Sequence, residues 1–488
     1  MLRLYAICSL TLSLSCGSSP PAPSAGSRPV AVPDDTAPPT SVHLPATPLA
    51  ERYREVAATL IERALTDDAG WKKLEHLTDR IGPRLSGSRS LEGAVAWSKQ
   101  TMEADGLSVT LQQVTVPHWV RGKESASIIA PTAHELSILG LGGTAGTGKK
   151  PITAPVVTAK DFDELETLGD RAGGAIVLYT HAMHAWNEET GSGYDKAVDF
   201  RYDGASRAAR LGAKAVLVRS LTATSLDTPH TGAMAYTDGA PKIPAAAISI
   251  EGAELIERLT GSGEIVKVRL SLGAKTLPDA ISHNVIGEIK GSELPEEIVL
   301  LGAHIDSWDV GQGAHDDGAG CVIMMQAAAM IHALEQKPRR TIRVVLYTNE
   351  ENGLRGAKEY AARAAGEIEN HVVAVESDSG GFDPKGFTVQ ESDAGLAQMI
   401  DIVTLLEPIG AARSKAGFSG ADLIPLARAG VPTMGLWVDE RLYFDYHHTA
   451  ADTLDKVDPE ALRKNIAAVA VTAFVIADMP HRFGERAN

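Results

Sequence analysis

Between residues 297 and 381, three apolar, β-branched runs each end in acids or histidine: EIVLLGAHIDSWDVGQGAHDDGAG, RTIRVVLYTNEENGLRGA and HVVAVESDSGG. The first carries His304, Asp306, Asp316 and Asp317, the second Glu350 and Glu351, and the third Asp378. Carboxylates gathered at one edge repel each other unless a cation sits among them. Mixed oxygen and nitrogen donors suit a divalent metal, and zinc in particular. Consecutive glutamates after a strand point to different sides. One can coordinate metal while its neighbour takes a proton from metal-activated water. A His-x-Asp pair lets one ring nitrogen bind metal while a nearby carboxylate holds the other N–H. A later segment, YFDYHHTAADT, adds His448 with Asp452 four residues on. Each feature has an ordinary reading too. A strand-end histidine is often structural, a Glu-Glu pair is often a solvated loop, and paired aspartates before a helix can be caps favoured by its dipole. The glycines around Asp316 and Asp317 favour a backbone bent tightly about a ligand.

The elements that must position these residues follow from hydrophobic periodicity. From His283 onward strands and helices alternate: NVIGEIKG, EIVLLGAHID, a helix over 319–335, TIRVVLYT, a helix over 354–365, HVVAVESD and FTVQES. A helix over 396–406, TMGLWV and a closing helix over 459–476 complete the series. The pattern predicts an α/β fold with a mixed, largely parallel sheet flanked by helices on both faces. Strand carboxyl ends are where ligand sites form in such sheets. Upstream, LAERYREVAATLIERALTDD reads as an amphipathic helix, followed by helices over 70–78 and 90–105, with Ser90 as N-cap and Gly106 as stop. LSVTLQQVTV alternates as a strand with Val109, Leu111 and Val114 inward. Residues 118–277 change character: short β-like runs separated by Gly, Pro and Thr, interrupted by one helix, GASRAARLGA. They read as an inserted β-rich domain that splits the main domain into 49–117 and 278–488. The order GAIVLYT, GASRAARLGAKAVLVRS, IPAAAIS resembles the protease-associated domain.

A formal net charge of −16 argues against a nucleic-acid partner, which requires a basic footprint. Of three cysteines, Cys8 and Cys16 stand near the N-terminus, so Cys321 alone remains for the body and thiolate zinc clusters are excluded. Cys321 itself reads as a small buried residue rather than a nucleophile. Residues 1–16 have the pattern of an export signal. LSLSC-G resembles a bacterial lipoprotein processing site, with Ser13 where leucine is usual. A lipid on Cys16 would be the chain's one membrane contact, anchoring it to the cell envelope; without it the chain is expected in the periplasm or secreted. Residues 17–48, rich in Ser, Pro and Ala, read as an extended spacer.

Taken together, LTDRIGPRLSGS, VPHWVRGKESA, SLDTPHTGAMAY, GAHIDSWDVGQGAHDDGAG, YTNEENGLRGA, ESDSGG, AGVPTMGL and YHHTAADT resemble the M28 family of dinuclear zinc peptidases. The resemblance implies two Zn2+ per chain. Asp316 matches the bridging carboxylate, His304 and Asp378 the ligands of one ion, and Glu351 and His448 those of the other. Glu350 matches the general base and Asp306 the carboxylate behind His304, with Asp317 and Asp452 in supporting places. His448, not His447, matches the ligand. His230, His315, Asp422 and Tyr446 are candidates for lining the substrate pocket. The implied reaction is hydrolysis of short peptides or unblocked dipeptides, by a protein that pairs as a homodimer. The rival expectations are an aminopeptidase acting on longer peptides, a single-zinc cyclase on the same scaffold, and a non-catalytic binding lipoprotein.

Overall fold

The runs ending in His304, Tyr347 and Glu376 lie side by side as parallel strands in the computed structural model, which describes residues 48–390 and 392–485. The expected leader, the lipid site at Cys16 and the spacer as far as residue 47 lie outside the described residues. The main sheet has eight strands, in the order Ser108–Val120, Lys275–Ile289, Arg340–Tyr347, Leu294–His304, His371–Glu376, Thr433–Val438, Pro384–Gln390, Arg413–Ala416. Its central four are parallel, and antiparallel pairings flank them on both sides. His304 is opposite Tyr347 and Gly302 opposite Glu376, so three strands end nearly level and their following loops meet at one edge.

Helices cover both faces. Pro48–Thr66, Ala319–His332 and Pro459–Asp478 share one core with the sheet, while Arg355–Arg363 and Ile424–Arg428 pack on the other side. Twelve of the fourteen residues of Ala319–His332 are buried, as befits a helix apolar on every side. That burial fixes the turn before it, where Asp316 and Asp317 sit. Residues 124–272 build a second eight-stranded sheet, centred on the parallel strands Ile152–Ala159, Ile176–Tyr179, Ala215–Arg219 and Ala245–Ile248, with its own cores on its two sides. Among the described residues no helix is long and apolar enough to cross a membrane.

Three local expectations fail. The segment read as β-rich with one helix has four: Phe162–Leu168, Tyr194–Tyr202, Gly204–Arg210 and Ile250–Gly261. Three of these have nine residues or fewer, too short for helical periodicity to register against surrounding Gly and Thr. Ser88, not Ser90, caps the third helix, accepting from Leu91 N, while Ser90 Oγ donates to the Pro83 carbonyl. Leu111 faces outward at 40% exposure, whereas Val114 and Val116 are buried. The Ser108–Val120 strand is the edge of its sheet, so its outer end lacks a covering layer.

Candidate metal centre

One strand end, three loops and one helix-opening turn deliver the charged side chains. His304 ends its strand, Glu350 and Glu351 follow Arg340–Tyr347, and Asp378 follows His371–Glu376. Asp316 comes from the turn that opens Ala319–His332, and His448 from the loop after Tyr443–Tyr446. His448 and Asn349, the residue before Glu350, have φ of 61° and 65°, left-handed values that non-glycine residues adopt at a cost and that cluster at functional sites.

Asp316 is the pivot. Its Oδ1 is 3.2 Å from His304 Nε2, which is 3.4 Å from Asp378 Oδ1. Its Oδ2 is 3.2 Å from His448 Nε2, which is 3.2 Å from Glu351 Oε2. One carboxylate thus turns an oxygen toward each of two clusters. The five residues matched to metal ligands converge although they are spread over more than 140 positions of chain. His447 comes near as well, with Nε2 3.7 Å from Asp316 Oδ2 and its ring stacked on that of His448 at 3.5 Å. The 3.2 Å contacts to both Asp316 and Glu351 favour His448 over its neighbour.

The supporting residues hold the site by atoms the sequence did not indicate. His304 Nδ1 is 3.0 Å from the main-chain carbonyl of Asp306, and the Asp306 carboxylate is 3.9 Å away. That carboxylate instead accepts from Glu350 N at 3.0 Å, so it orients the glutamate pair. Asp317 accepts from His304 N and from Gly320 N, tying the histidine to the helix start. Asp452 does not back His448; its two oxygens accept from His315 N and Asp316 N at 2.8 and 3.1 Å. Behind His448, Nδ1 is 3.2 Å from the Thr231 carbonyl, and Thr231 N donates to the His448 carbonyl at 3.1 Å. The segment 124–272 therefore sets the orientation of a candidate ligand. Arg84, fully buried, donates to the carbonyls of Ile305, Gln312 and Gly313 and pins the loop between His304 and Asp316.

The pocket candidates divide. His230 is buried beside His447 and His448 with neither ring nitrogen hydrogen-bonded, and burial holds it down at about 3. His315 lies between the rings of Phe382 and Tyr446 at 4.1 and 5.8 Å, with Nδ1 accepting from Gly381 N. That ring stacks against the turn, with its Nε2 buried and without a hydrogen-bond partner. Asp422 is buried with both oxygens unpartnered, held well above the carboxylate range by burial and then by Glu376 and Glu350. Glu376 is a residue the sequence reading passed over. It ends the third strand, accepts from Asp422 N and Leu423 N, and is pushed up to about 8 by burial and Asp378. Its place in VVAVESD was the available signal. A cavity of about 340 Å3 opens beside it, lined by Asp378, Ser379, Lys415, Phe418 and Trp437 among others. Cys321 is buried as expected, its thiol donating to the His304 carbonyl.

Electrostatics mark the centre as built for positive charge. Burial alone would raise Asp316, yet His304 and His448 hold it well below the usual range. Burial opposes protonation of His304 and His448, but Asp316 and Asp378 raise the first well above its usual value, and Glu351 and Asp316 raise the second to about 10. Glu351 is pushed up to about 7 by burial and Asp316. Glu350 goes well above its ordinary value through burial, with Asp378, Glu351 and Asp306 adding to it. Asp316 Oδ2 and Glu351 Oε1 are buried and accept no hydrogen bond. An orphaned Asp316 oxygen facing His448 Nε2, with the Glu351 carboxylate beside it, fits divalent metal, which displaces the ring proton and supplies the missing charge.

The model of peptidase family M28 matches residues 284–473. The chain is 41% identical over 431 residues to carboxypeptidase Q of Mus musculus, covering 88% of this chain and 90% of that one. The solved structure of a peptidase M28 precursor from Shewanella amazonensis superposes with a TM-score of 0.85 at 38% identity, over 89% of this chain and 98% of that chain. A zinc aminopeptidase of Bacillus subtilis shares the fold at 22% identity, with a TM-score of 0.63 over 85% of this chain and 96% of that chain.

Proposed function

Because this chain belongs to peptidase family M28, we propose that it is a zinc-dependent exopeptidase that hydrolyses the peptide bond of short, unblocked peptides, dipeptides above all. The observation that carries this reading is Asp316, with one oxygen toward His304 and Asp378 and the other toward His448 and Glu351. Those five residues would hold two Zn2+ per chain, with Asp316 shared. Bound there, zinc would make water acidic enough to attack at neutral pH and would polarise the scissile carbonyl.

The chain's own groups supply the rest. Glu350 accepts the proton of the attacking water at its carboxylate and delivers it to the departing amine. Asp306 holds the Glu350 N–H, and so aims that carboxylate. Asp452 and Arg84 keep the Asp316 turn and the preceding loop in place. The segment 124–272, taken as a protease-associated-like insert, walls the cleft through Thr231 and limits the length of peptide admitted. The acidic surroundings favour a free α-amino group on the substrate. Export with a lipid on Cys16 completes the reading.

The test is hydrolysis of one dipeptide in free, N-acetylated and C-amidated forms by zinc-replete protein, with zinc counted in the same sample. Cleavage of the free form with about two zinc ions per chain is expected. A stoichiometry of one, or no cleavage across a panel of free dipeptides, overturns it.

A further inference from the structure

Beside the metal centre the main sheet leaves part of one face bare. Phe387, Val389, Met434 and Leu436 point into the main core. The residues between them point the other way, since successive side chains on a strand alternate in face. Register sets them in two rows: Glu376, Gly435, Thr388 and Lys415 in one, Trp437, Gly386 and Arg413 in the next. The first row and Trp437 line the cavity of about 340 Å3 that begins at Asp378, and none of the α-helices contributes to that lining. Gly435 and Thr388 form a low floor. Gly386, with no side chain, lets the Trp437 ring reach across to the edge strand Arg413–Ala416.

The far end of this cavity is positive, against the trend of a chain with a net charge of −16. Lys415 Nζ is 3.9 Å from the centroid of the Trp437 ring, Arg413 Cζ 4.4 Å and Lys385 Nζ 6.0 Å. Lys385 is paired with Asp439 at 3.3 Å. Arg413 and Lys415 have no carboxylate oxygen within 4.0 Å and donate no hydrogen bond among the described residues. Basic residues on an edge strand also guard it against pairing. These two, however, lie over an indole at the mouth of a cavity, where the ring holds them by cation–π attraction. The acids of the lining are engaged elsewhere. Glu376 accepts from Asp422 N and Leu423 N, and Asp378 faces His304 at 3.4 Å. Glu440, half-buried at the rim, is the one acid left to face two cations, and burial raises it while Lys415 and Lys385 pull it down.

We propose that this cavity receives the side chain of the substrate's amino-terminal residue, and that Lys415, seconded by Arg413, selects an acidic one. The proposal rests on the exopeptidase reading and deepens it by naming the substrate class. The carboxylates of Glu376 and Asp378 at the inner end suit a neighbouring α-amino group, which puts the amino-terminal residue there. From Glu376 to Lys415 the row crosses three strand spacings, about 14 Å, so the longer side chain of glutamate meets Lys415 better than that of aspartate.

The test uses zinc-loaded full chain with the isosteric pair Glu-Ala and Gln-Ala. The parent should favour Glu-Ala in kcat/KM, and added salt should compress that preference. Lys415→Met should lower the ratio of Glu-Ala over Gln-Ala by about 2- to 5-fold, as for loss of one exposed ion pair. Lys415→Glu should lower it further and raise Lys-Ala relative to Gln-Ala, so the charge reversal carries the test if the methionine variant fails to fold. A parent ratio of one or less, or a ratio that neither variant moves, overturns the proposal. So does a variant effect confined to the reversed pair, Ala-Glu over Ala-Gln. Calorimetry of Glu-Ala and Gln-Ala on the Glu350→Gln variant reads the same preference in binding without turnover, and equal affinities there also overturn it. Cleavage of both dipeptides alike by the parent fails this proposal alone, whereas cleavage of neither fails the peptidase reading.

Discussion

Stripping divalent metal with a chelator should make this protein less stable as pH rises from 5 to 8, and zinc should remove that dependence. Three buried carboxyl groups of the centre carry the effect. Asp452 moves up from 3.8 to about 7, Glu351 from 4.5 to about 7, and Glu376 from 4.5 to about 8, each first through burial. In the unfolded chain they ionise near their ordinary values, so between those values and the folded ones the unfolded state binds fewer protons. Their contribution is fully present below about pH 4 and is lost as pH climbs through 7 to 8. His448 acts in the same direction: raised from 6.5 to about 10, its contribution is fully present below 6.5 and is lost progressively between 6.5 and 10. Between pH 5 and 8 Asp452 alone loses about two units of its displacement, ~3 kcal/mol at 1.36 kcal/mol per unit. For a folded body of this size ~1 kcal/mol shifts Tm by roughly 1 °C, so the chelated protein should melt ~3 °C or more lower at pH 8 than at pH 5. The assay is thermal unfolding at pH 5, 6, 7 and 8 with chelator and with excess zinc. With zinc the slope should flatten or reverse, because ligation needs deprotonated donors. A chelated Tm that is flat or rises over this range, or zinc that adds nothing at pH 8, refutes the reasoning.

Glu350→Gln should cut kcat by about 10²- to 10⁴-fold while zinc content stays at the parent level; a fully metallated, fully active variant removes Glu350 from the proton-transfer role. Glu351→Ala and His448→Ala should each lose zinc by elemental analysis, while His447→Ala keeps it. The reverse pattern for the two histidines would exchange their assignments. Asp452→Asn leaves one carboxamide oxygen for two N–H donors, those of His315 and Asp316, and should weaken zinc binding about 10- to 100-fold in chelator competition. Unchanged affinity would show that Asp452 does not orient Asp316.

Much of the main sheet was legible because its strands and helices are long and locally consistent. EIVLLGAH, RVVLYT and HVVAVE read as buried parallel strands, and the helix after Asp317 was evident from its apolar run. The 124–272 segment was legible as a separate stretch but not in its helices, whose brevity hides their period. At the centre, acids and histidines at strand ends announced themselves by type and position, and the family match covers the stretch that holds all five candidate ligands. Glu376 went unweighted, because nothing local separates a buried acid from a solvated one.

Residue order by itself determined that His304, Glu350, Glu351 and Asp378 must leave the same edge of a parallel sheet. Apolar runs that end in acids or histidine are local properties, and the parallel register brings those ends level although the strands differ in length. Only the tertiary structure decided what stands behind each of them. The Asp306 carbonyl rather than its carboxylate faces His304, Asp452 holds the Asp316 backbone rather than His448, and the Thr231 carbonyl holds His448 from more than 200 residues away. Main-chain carbonyls are the same at every position of a chain, so which one meets a side chain is settled by packing alone.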